Sequence, residues 1–359
     1  MTASLLAIGS VMPTNLLKQN DASRYAQDRC CDSQKHRRLL AAIYRRSGID
    51  TRHTVLTEDI SDAFFPMQDA GADASPTTAE RMHEYARYAG ALATEACGEA
   101  LQRSSVVAAE ITHLVTVSCT GFRAPGVDIE IIHQLGMSSS VARTSVGFMG
   151  CQGALNGMRI ARAFVEADST AVVLLCCVEL CSLHFAYGWE PQRVVANSLF
   201  SDGAAAAVIS ATVPSSGARR WEILNQTSCV IPDSEDVMTW SIGDRGFEMT
   251  LSARVPTLIQ TNLHSFLSSW LSTQSYEITD ISTWAVHPGG PRVLDAVQAS
   301  LSLSGEALSV SREILRTYGN VSSVTLLLVL DSLSPRAAPG PAVMLAFGPG
   351  LTIEAALLR

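Results

Sequence analysis

The chain has no apolar run long enough to cross a bilayer, no low-complexity tract and little charge for its length. Asp, Glu, Lys and Arg make up 17% of its 359 residues against 47% hydrophobic. That balance excludes a disordered chain and reads as a well-buried globule. A spanning helix needs roughly 18 or more apolar residues in a row, so no membrane span is expected. The opening stretch, Met1 to Ser10, has no basic segment ahead of its short apolar run, so no secretory signal is expected. Basic residues are in the minority, 26 against 34 acidic, for a formal net charge of -8. This excludes the electrostatic footprint of a nucleic-acid binder. A disulfide framework is not expected either. The nine cysteines are an odd number in a long chain, and Cys176, Cys177 and Cys181 sit in or beside an apolar run. Free cysteine behaves there as a small hydrophobe, which fits a reducing, cytoplasmic setting. The sequon at Asn225 to Thr227 then reads as chance.

What the chain does have is alternation. Residues 3–12, 111–118, 171–178 and 203–210 read as strands, and 171–178 is continuously apolar, as a strand buried on both faces should be. Helical patterns fill 18–48, 78–102, the stretch from Pro125 to about Gly136, and Cys151 to Phe164. Residues 58–78 are acidic and irregular. A Pro-Ser-Ser-Gly segment within 213–220 suggests a boundary, giving halves 1–212 and 213–359. The second half repeats the theme. Helices are expected near 255–271, 291–302 and 306–317, and strands at 282–286, 342–347 and 351–358, with an apolar stretch at 322–330. The class is α/β, with sheets covered by helices.

Three residues stand where chemistry is suspected. Cys151 lies between glycines at a strand-to-helix transition. A helix N-terminus lowers a thiol's pKa, and flanking glycines allow close approach of a substrate. His287, in Trp-Ala-Val-His-Pro-Gly-Gly-Pro, follows a strand, and Asn320, in Tyr-Gly-Asn-Val-Ser-Ser, precedes an apolar run. Alone, each has a structural reading: a packed cysteine, a core histidine, a capping asparagine. Together, Cys, His and Asn can activate a thiol and stabilise an oxyanion. A zinc site at Cys177, Cys181 and His184 lacks a four-ligand pattern, so no metal is expected.

These motifs, with Ser198-Leu-Phe200-Ser-Asp202-Gly-Ala-Ala and the closing Phe347-Gly-Pro-Gly-Leu-Thr-Ile-Glu354, resemble the type III polyketide synthases in order and spacing. These are the chalcone-synthase-like branch of the thiolase-fold condensing enzymes. The likeness runs from about residue 110 to the C-terminus and is weaker before it. It implies a thiolase-like fold, layered α/β/α/β/α, with two pseudo-duplicated halves. It implies a homodimer, acyl-CoA starter and malonyl-CoA as substrates, and no cofactor. Cys151 would carry the acyl group, His287 would favour its thiolate, and His287 with Asn320 would hold the malonyl thioester oxygen. Phe200 and Phe247 match two gatekeeping phenylalanines, although singly each would read as core. Asp202 would support a loop. Arg46 coincides with one of three basic CoA-phosphate contacts; the other two positions are Leu39 and Ala42.

The departures bear on substrate. Plant chalcone synthases have threonines where this chain has Cys119, Cys181 and His184, a glycine at Met238 and a cross-dimer methionine near Ala124. Met238 should narrow the usual cyclisation cavity, while Cys119, Cys181 and Ala124 could open a channel for an aliphatic tail. Ser322, beside Asn320, completes the expected cavity lining. An aliphatic starter giving alkylpyrones or alkylresorcinols is expected, with a small or aromatic starter as its rival. The nearest different enzyme is a ketoacyl synthase of the fatty-acid initiating type, which uses acyl carrier protein; it usually has His-Gln-Ala-Asn where this chain has His287-Pro-Gly-Gly.

Overall fold

The computed structural model describes residues 2–57, 64–65, 75–211 and 221–359. The suggested boundary at 213–220 and most of the acidic stretch 58–78 lie outside these. Strands β1 (Ser4–Val11), β2 (Asn15–Lys18) and β3 (Thr51–Thr54) bracket helices α1 (Gln19–Cys30) and α2 (Gln34–Arg46). Then come α3 (Thr78–Ser104), β4 (His113–Ser118), α4 (Val127–Leu135), β5 (Ala142–Gly147), α5 (Gly153–Ala167), β6 (Val172–Leu180), α6 (Pro191–Leu199) and β7 (Asp202–Ser210). The second half holds β8 (Trp221–Val230), the hairpin β9 (Met238–Gly243) and β10 (Gly246–Leu251), α7 (Val255–Thr273) and β11 (Thr283–Val286). It ends with α8 (Pro291–Leu301), α9 (Ser309–Tyr318), α10 (Val324–Leu333), β12 (Ala342–Gly348) and β13 (Thr352–Leu358).

Nine strands form one sheet in the order β11-β12-β13-β8-β1-β7-β6-β4-β5. Its halves repeat a pairing pattern that the sequence does not show. β4 pairs parallel with β6, then β6 with β7 and β7 with β1 antiparallel. Likewise β11 pairs parallel with β12, then β12 with β13 and β13 with β8 antiparallel. The halves join where Ser4 and Leu5 of β1 face Glu222 and Trp221 of β8.

Strand alternation sorts the core into layers. Leu174, Cys176 and Val178 of β6 face Ala89, Ala93 and Ala96 of α3. Val173, Leu175 and Cys177 point the other way, into a cluster with Leu155 and Met158 of α5, Leu326 and Leu327 of α10, and Met344 and Ala356 of the second half. The opposite faces of β12 and β13, with Val343, Leu345 and Leu357, pack under Leu263 and Leu267 of α7 and Leu294 of α8. The result is helix, sheet, helix, sheet, helix, the layered thiolase-like fold. The stretch at 322–330 forms the middle-layer helix α10, apolar on nearly all sides because sheets cover both of its flanks. The long helical pattern at 18–48 divides into two helices, with Ser33 capping α2 through a bond from His36 N at 3.2 Å. No helix among the described residues is long and apolar enough to cross a membrane.

Leu327 is fully buried in the middle layer. Leu327→Ala should destabilise the protein by about 3 kcal/mol in urea denaturation, whereas Val107→Ala, at a residue 60% exposed, should stay within about 0.5 kcal/mol. Equal effects would contradict this assignment of layers.

Candidate active site

Three loops from the two halves converge beside the middle-layer helices. Cys151 sits in a short 3₁₀ turn, Gly150–Gln152, which runs into α5. Its glycines allow close packing: a side chain at Gly150, which lines the cavity, would strike Pro349, and one at Gly153 would come within 2.7 Å of Val117. Asn320 follows Gly319, whose φ of 72° ends α9. Asn320 N donates to Leu199 O at 2.9 Å, Ser201 N donates to Asn320 O at 2.9 Å, and Phe200 and Asn320 form an isolated parallel bridge. The backbones of Phe200 and Asn320 are therefore one unit.

The Asn320 amide is oriented by its neighbours. Its Oδ1 accepts Ser322 N–H at 2.9 Å and its Nδ2 donates to Gly289 O at 3.4 Å, while both amide atoms lie 3.9 Å from Cys151 Sγ. His287 ends β11, its backbone N donating to Leu345 O at 2.8 Å. The ring is buried, and neither nitrogen has a hydrogen-bond partner among the described residues. Asn320 thus links Cys151 to the His287–Gly289 turn.

Electrostatics here depart from the expectation of a helix-stabilised thiolate. Burial pushes the Cys151 thiol up to about 12, and the Glu179 carboxylate adds to this; hydrogen bonding from Ser322 and Asn320 opposes it. Burial likewise holds His287 down to about 3. An isolated charge is costly away from water, and the 3₁₀ turn sets Cys151 ahead of the helix proper. A standing positive charge on His287 is not what this closed site favours; each group alone is neutral.

A cavity of about 670 Å³ opens from Cys151, lined by Cys119, Cys181, His184, Phe200, Met238, Phe247 and Ser322. Every substrate-binding residue expected from the sequence is in that lining. The same lining includes Leu17, Ala22, Tyr25, Tyr44, Leu56 and Phe65, together with the polar Asp21, Arg52 and Asn197.

The residues of the chain match family models throughout. The N-terminal domain of chalcone and stilbene synthases matches residues 1–213, and the C-terminal domain matches 222–359. The chain belongs to the chalcone and stilbene synthase family. It is a type III polyketide synthase, an acyl-transferring condensing enzyme. It is 33% identical over 358 residues to the alpha-pyrone synthesis polyketide synthase-like Pks18 of Mycobacterium tuberculosis, covering 98% of this chain and 89% of that one. It is 34% identical over 363 residues to the 1,3,6,8-tetrahydroxynaphthalene synthase of Streptomyces peucetius, covering 99% and 93%. Its fold superposes on PKS-I of the brown alga Ectocarpus siliculosus with a TM-score of 0.92 at 30% identity, covering 100% and 98%. These findings do not favour the ketoacyl synthase alternative.

Within this type III synthase, several residues do something other than line a cavity. His184 Nδ1 accepts the Phe247 N–H at 3.0 Å, so its Nε2 carries the proton and donates to Thr120 O at 2.6 Å. Its ring stacks on Phe247 at 4.2 Å. His184 therefore fastens Phe247 and has no ring nitrogen left for a ligand. Cys119 Sγ accepts the Gly150 N–H at 3.0 Å, which anchors the nucleophile turn. Trp240, missed from sequence, donates to Cys119 O at 2.7 Å and lines the cavity. Glu179, also missed, is fully buried and accepts from Cys119 N, Thr120 Oγ1 and Ser323 Oγ. A lone carboxylate in the apolar run of β6 was its only signal. Asp202 ties Ser182 to Val55 N and supports that loop. Arg46, at the exposed end of α2, is not in the cavity lining.

Burial holds His184 down to about 3, against 6.5 when exposed. The unfolded chain therefore binds a proton below 6.5 that the native state does not, and stability is lost as pH falls through that window. Asp202, raised to about 6 by burial, acts with the opposite sign, so the diagnostic is a difference. Between pH 7 and 5, His184→Gln should lose about 2 kcal/mol less stability than the wild type. Parallel denaturation profiles would show that His184 is not held neutral.

Proposed function

We propose that this enzyme loads an aliphatic acyl group from an acyl-CoA starter onto Cys151. It then extends that group with malonyl-CoA and closes the product to a pyrone or resorcinol. The apolar part of the cavity lining carries this reading. Leu17, Ala22, Leu56 and Phe65 line the same cavity as Cys151, and Cys119 and Cys181 in that lining are small. The curated relatives divide along the same line, one named for alpha-pyrone synthesis and another for tetrahydroxynaphthalene.

In the proposed reaction, Cys151 passes its proton to His287 as Sγ attacks the starter thioester carbonyl. The charge pair forms only then, with no net charge entering the site. The tetrahedral intermediate expels the CoA thiolate, which takes the proton back. Malonyl-CoA next binds with its thioester oxygen facing the neutral imidazole N–H and Asn320 Nδ2–H. Loss of CO2 leaves an enolate whose charge these donors stabilise. The enolate carbon attacks the acyl–Cys151 carbonyl and displaces Sγ as a thiolate, leaving a β-ketoacyl-CoA. That thiolate attacks the new thioester to begin another round, and the CoA thiolate it expels takes a proton from solvent. Phe200 and Phe247 keep water from the enolate. No step calls for a metal, flavin or nicotinamide.

The working unit we propose is a cytoplasmic homodimer. Phe122, 57% exposed on the loop that carries Ala124, packs against Phe148, and β5 is an exposed edge strand; both suit cover by a second copy. Arg46 is kept as a CoA-phosphate contact outside the cavity.

Purified enzyme, malonyl-CoA and a panel of acetyl, short to long aliphatic, benzoyl and coumaroyl-CoA should give pyrones or resorcinols by mass spectrometry. Turnover should be best with a longer aliphatic starter and absent in Cys151→Ala. Ala22→Phe should shorten the longest starter accepted, and Met238→Gly should widen the product range. Products from acetyl- or malonyl-CoA alone would replace the aliphatic reading with that of a small polyhydroxylated ring.

A further inference from the structure

Arg52 is a buried cation in β3, and no carboxylate lies within ion-pair distance of it among the described residues. It bonds to carbonyls instead. Nη1 donates to Asn197 O at 2.8 Å and Phe200 O at 2.9 Å, and Nε donates to Gln19 Oε1 at 3.0 Å. Gln19 in turn donates to Ser198 O and Ser47 Oγ, both at 2.8 Å. These carbonyls are the last of α6. A helix leaves such carbonyls unpaired and carries partial negative charge there, so a guanidinium is the fitting cap.

The fourth carbonyl in the run, Leu199 O, is the one that receives Asn320 N. On its other side, the stem of Arg52 lies against the turn at Gly319: a side chain there would come within 2.9 Å of Arg52 Cγ and 3.0 Å of Leu199 O. One residue thus touches both the end of α6 that sets Phe200 and the turn that presents Asn320. Its burial costs free energy, since desolvation pulls the guanidinium below its ordinary range. A neutral donor at this place would avoid that cost while filling fewer acceptors.

We infer that Arg52 is a positioning residue for decarboxylation: it holds Phe200 and Asn320 in register with Cys151 by capping α6. The inference rests on the proposed roles of Cys151 and Asn320. It separates two steps. Loading of Cys151 needs the thiol and a starter, whereas decarboxylation needs Asn320 Nδ2 placed to a fraction of an ångström, and misplacement by about 1 Å costs on the order of a hundredfold.

The test compares Arg52→Met and Arg52→Lys with the wild type. Acyl loading on Cys151 is counted by intact mass, and CO2 release from malonyl-CoA is measured per loadable chain. Arg52→Met should keep loading near one acyl group per chain and lose about tenfold or more in kcat for CO2 release, with a smaller change in KM. Arg52→Lys, which keeps a cation and some donors, should recover to within about threefold of wild type. CO2 release within twofold of wild type in Arg52→Met, or a lysine variant no better than methionine, would overturn the inference. If Arg52→Met does not fold, Gln19→Leu takes its place. It frees Ser198 O and the Arg52 Nε–H and should slow CO2 release several-fold; unchanged release would again overturn the inference. Wild-type enzyme that takes no acyl group on Cys151 would instead defeat the functional reading.

Discussion

Desolvation at the junction of the two halves is the constraint on which the rest of this structure depends. Cys151, Glu179, His184, Asp202, His287 and Asn320 are all buried, and water cannot complete their hydrogen bonds. The protein does so instead. Glu179 has three donors, Asp202 has three, both nitrogens of His184 are used, and the Asn320 amide is locked by Ser322 N. His287 is the exception, with both ring nitrogens unpartnered among the described residues. A buried polar group left without a partner is destabilising and calls for an explanation. In the proposed reaction the explanation is functional: a donor kept neutral and uncommitted is what a developing enolate oxygen requires.

The layered architecture makes that junction possible. α5 and α10 lie back to back in the middle layer, and each begins beside the site, α5 just after Cys151 and α10 just after Asn320. The repeated strand pattern of the halves brings the loop after β11 to the same place. Around this centre the cavity lining comes from the β9–β10 hairpin, which supplies Met238, Trp240 and Phe247, and from the α1–α2 region, which supplies Ala22, Tyr25 and Tyr44. Chemistry and specificity are thus carried by different parts of the chain.

Much of this was legible in the sequence because it is local. The apolar run of β6, the alternation of strands and helices, and the motifs around Cys151, His287 and Asn320 need no tertiary knowledge. The cavity-lining set was legible through resemblance, position by position. What escaped was what depends on distance in sequence. His184 reads as a ligand contact until Phe247, 63 residues away, is seen to take its nitrogen. Arg52 in Thr-Arg-His-Thr has no pattern to mark it, because its acceptors lie about 145 residues on. The upward pull on the Cys151 thiol is hidden for the same reason: the helix start is visible in sequence, whereas the burial that opposes its effect is not. The apolar stretch now seen as α10 had no assigned type, since a helix covered on both flanks and a buried strand share a composition.

The central claim is that Cys151 becomes reactive by giving its proton to His287 and not through a standing thiolate. The direct measurement is the pH dependence of Cys151 alkylation by iodoacetamide in the wild type and in His287→Ala, read by intact mass. The account predicts no reactive transition at neutral or acid pH in either protein, since burial sets the thiol at about 12 with His287 in place. It also predicts an alkylation rate near neutral pH that falls by about tenfold or more when His287 is removed. An unchanged profile would contradict it and place the activation of the thiol elsewhere.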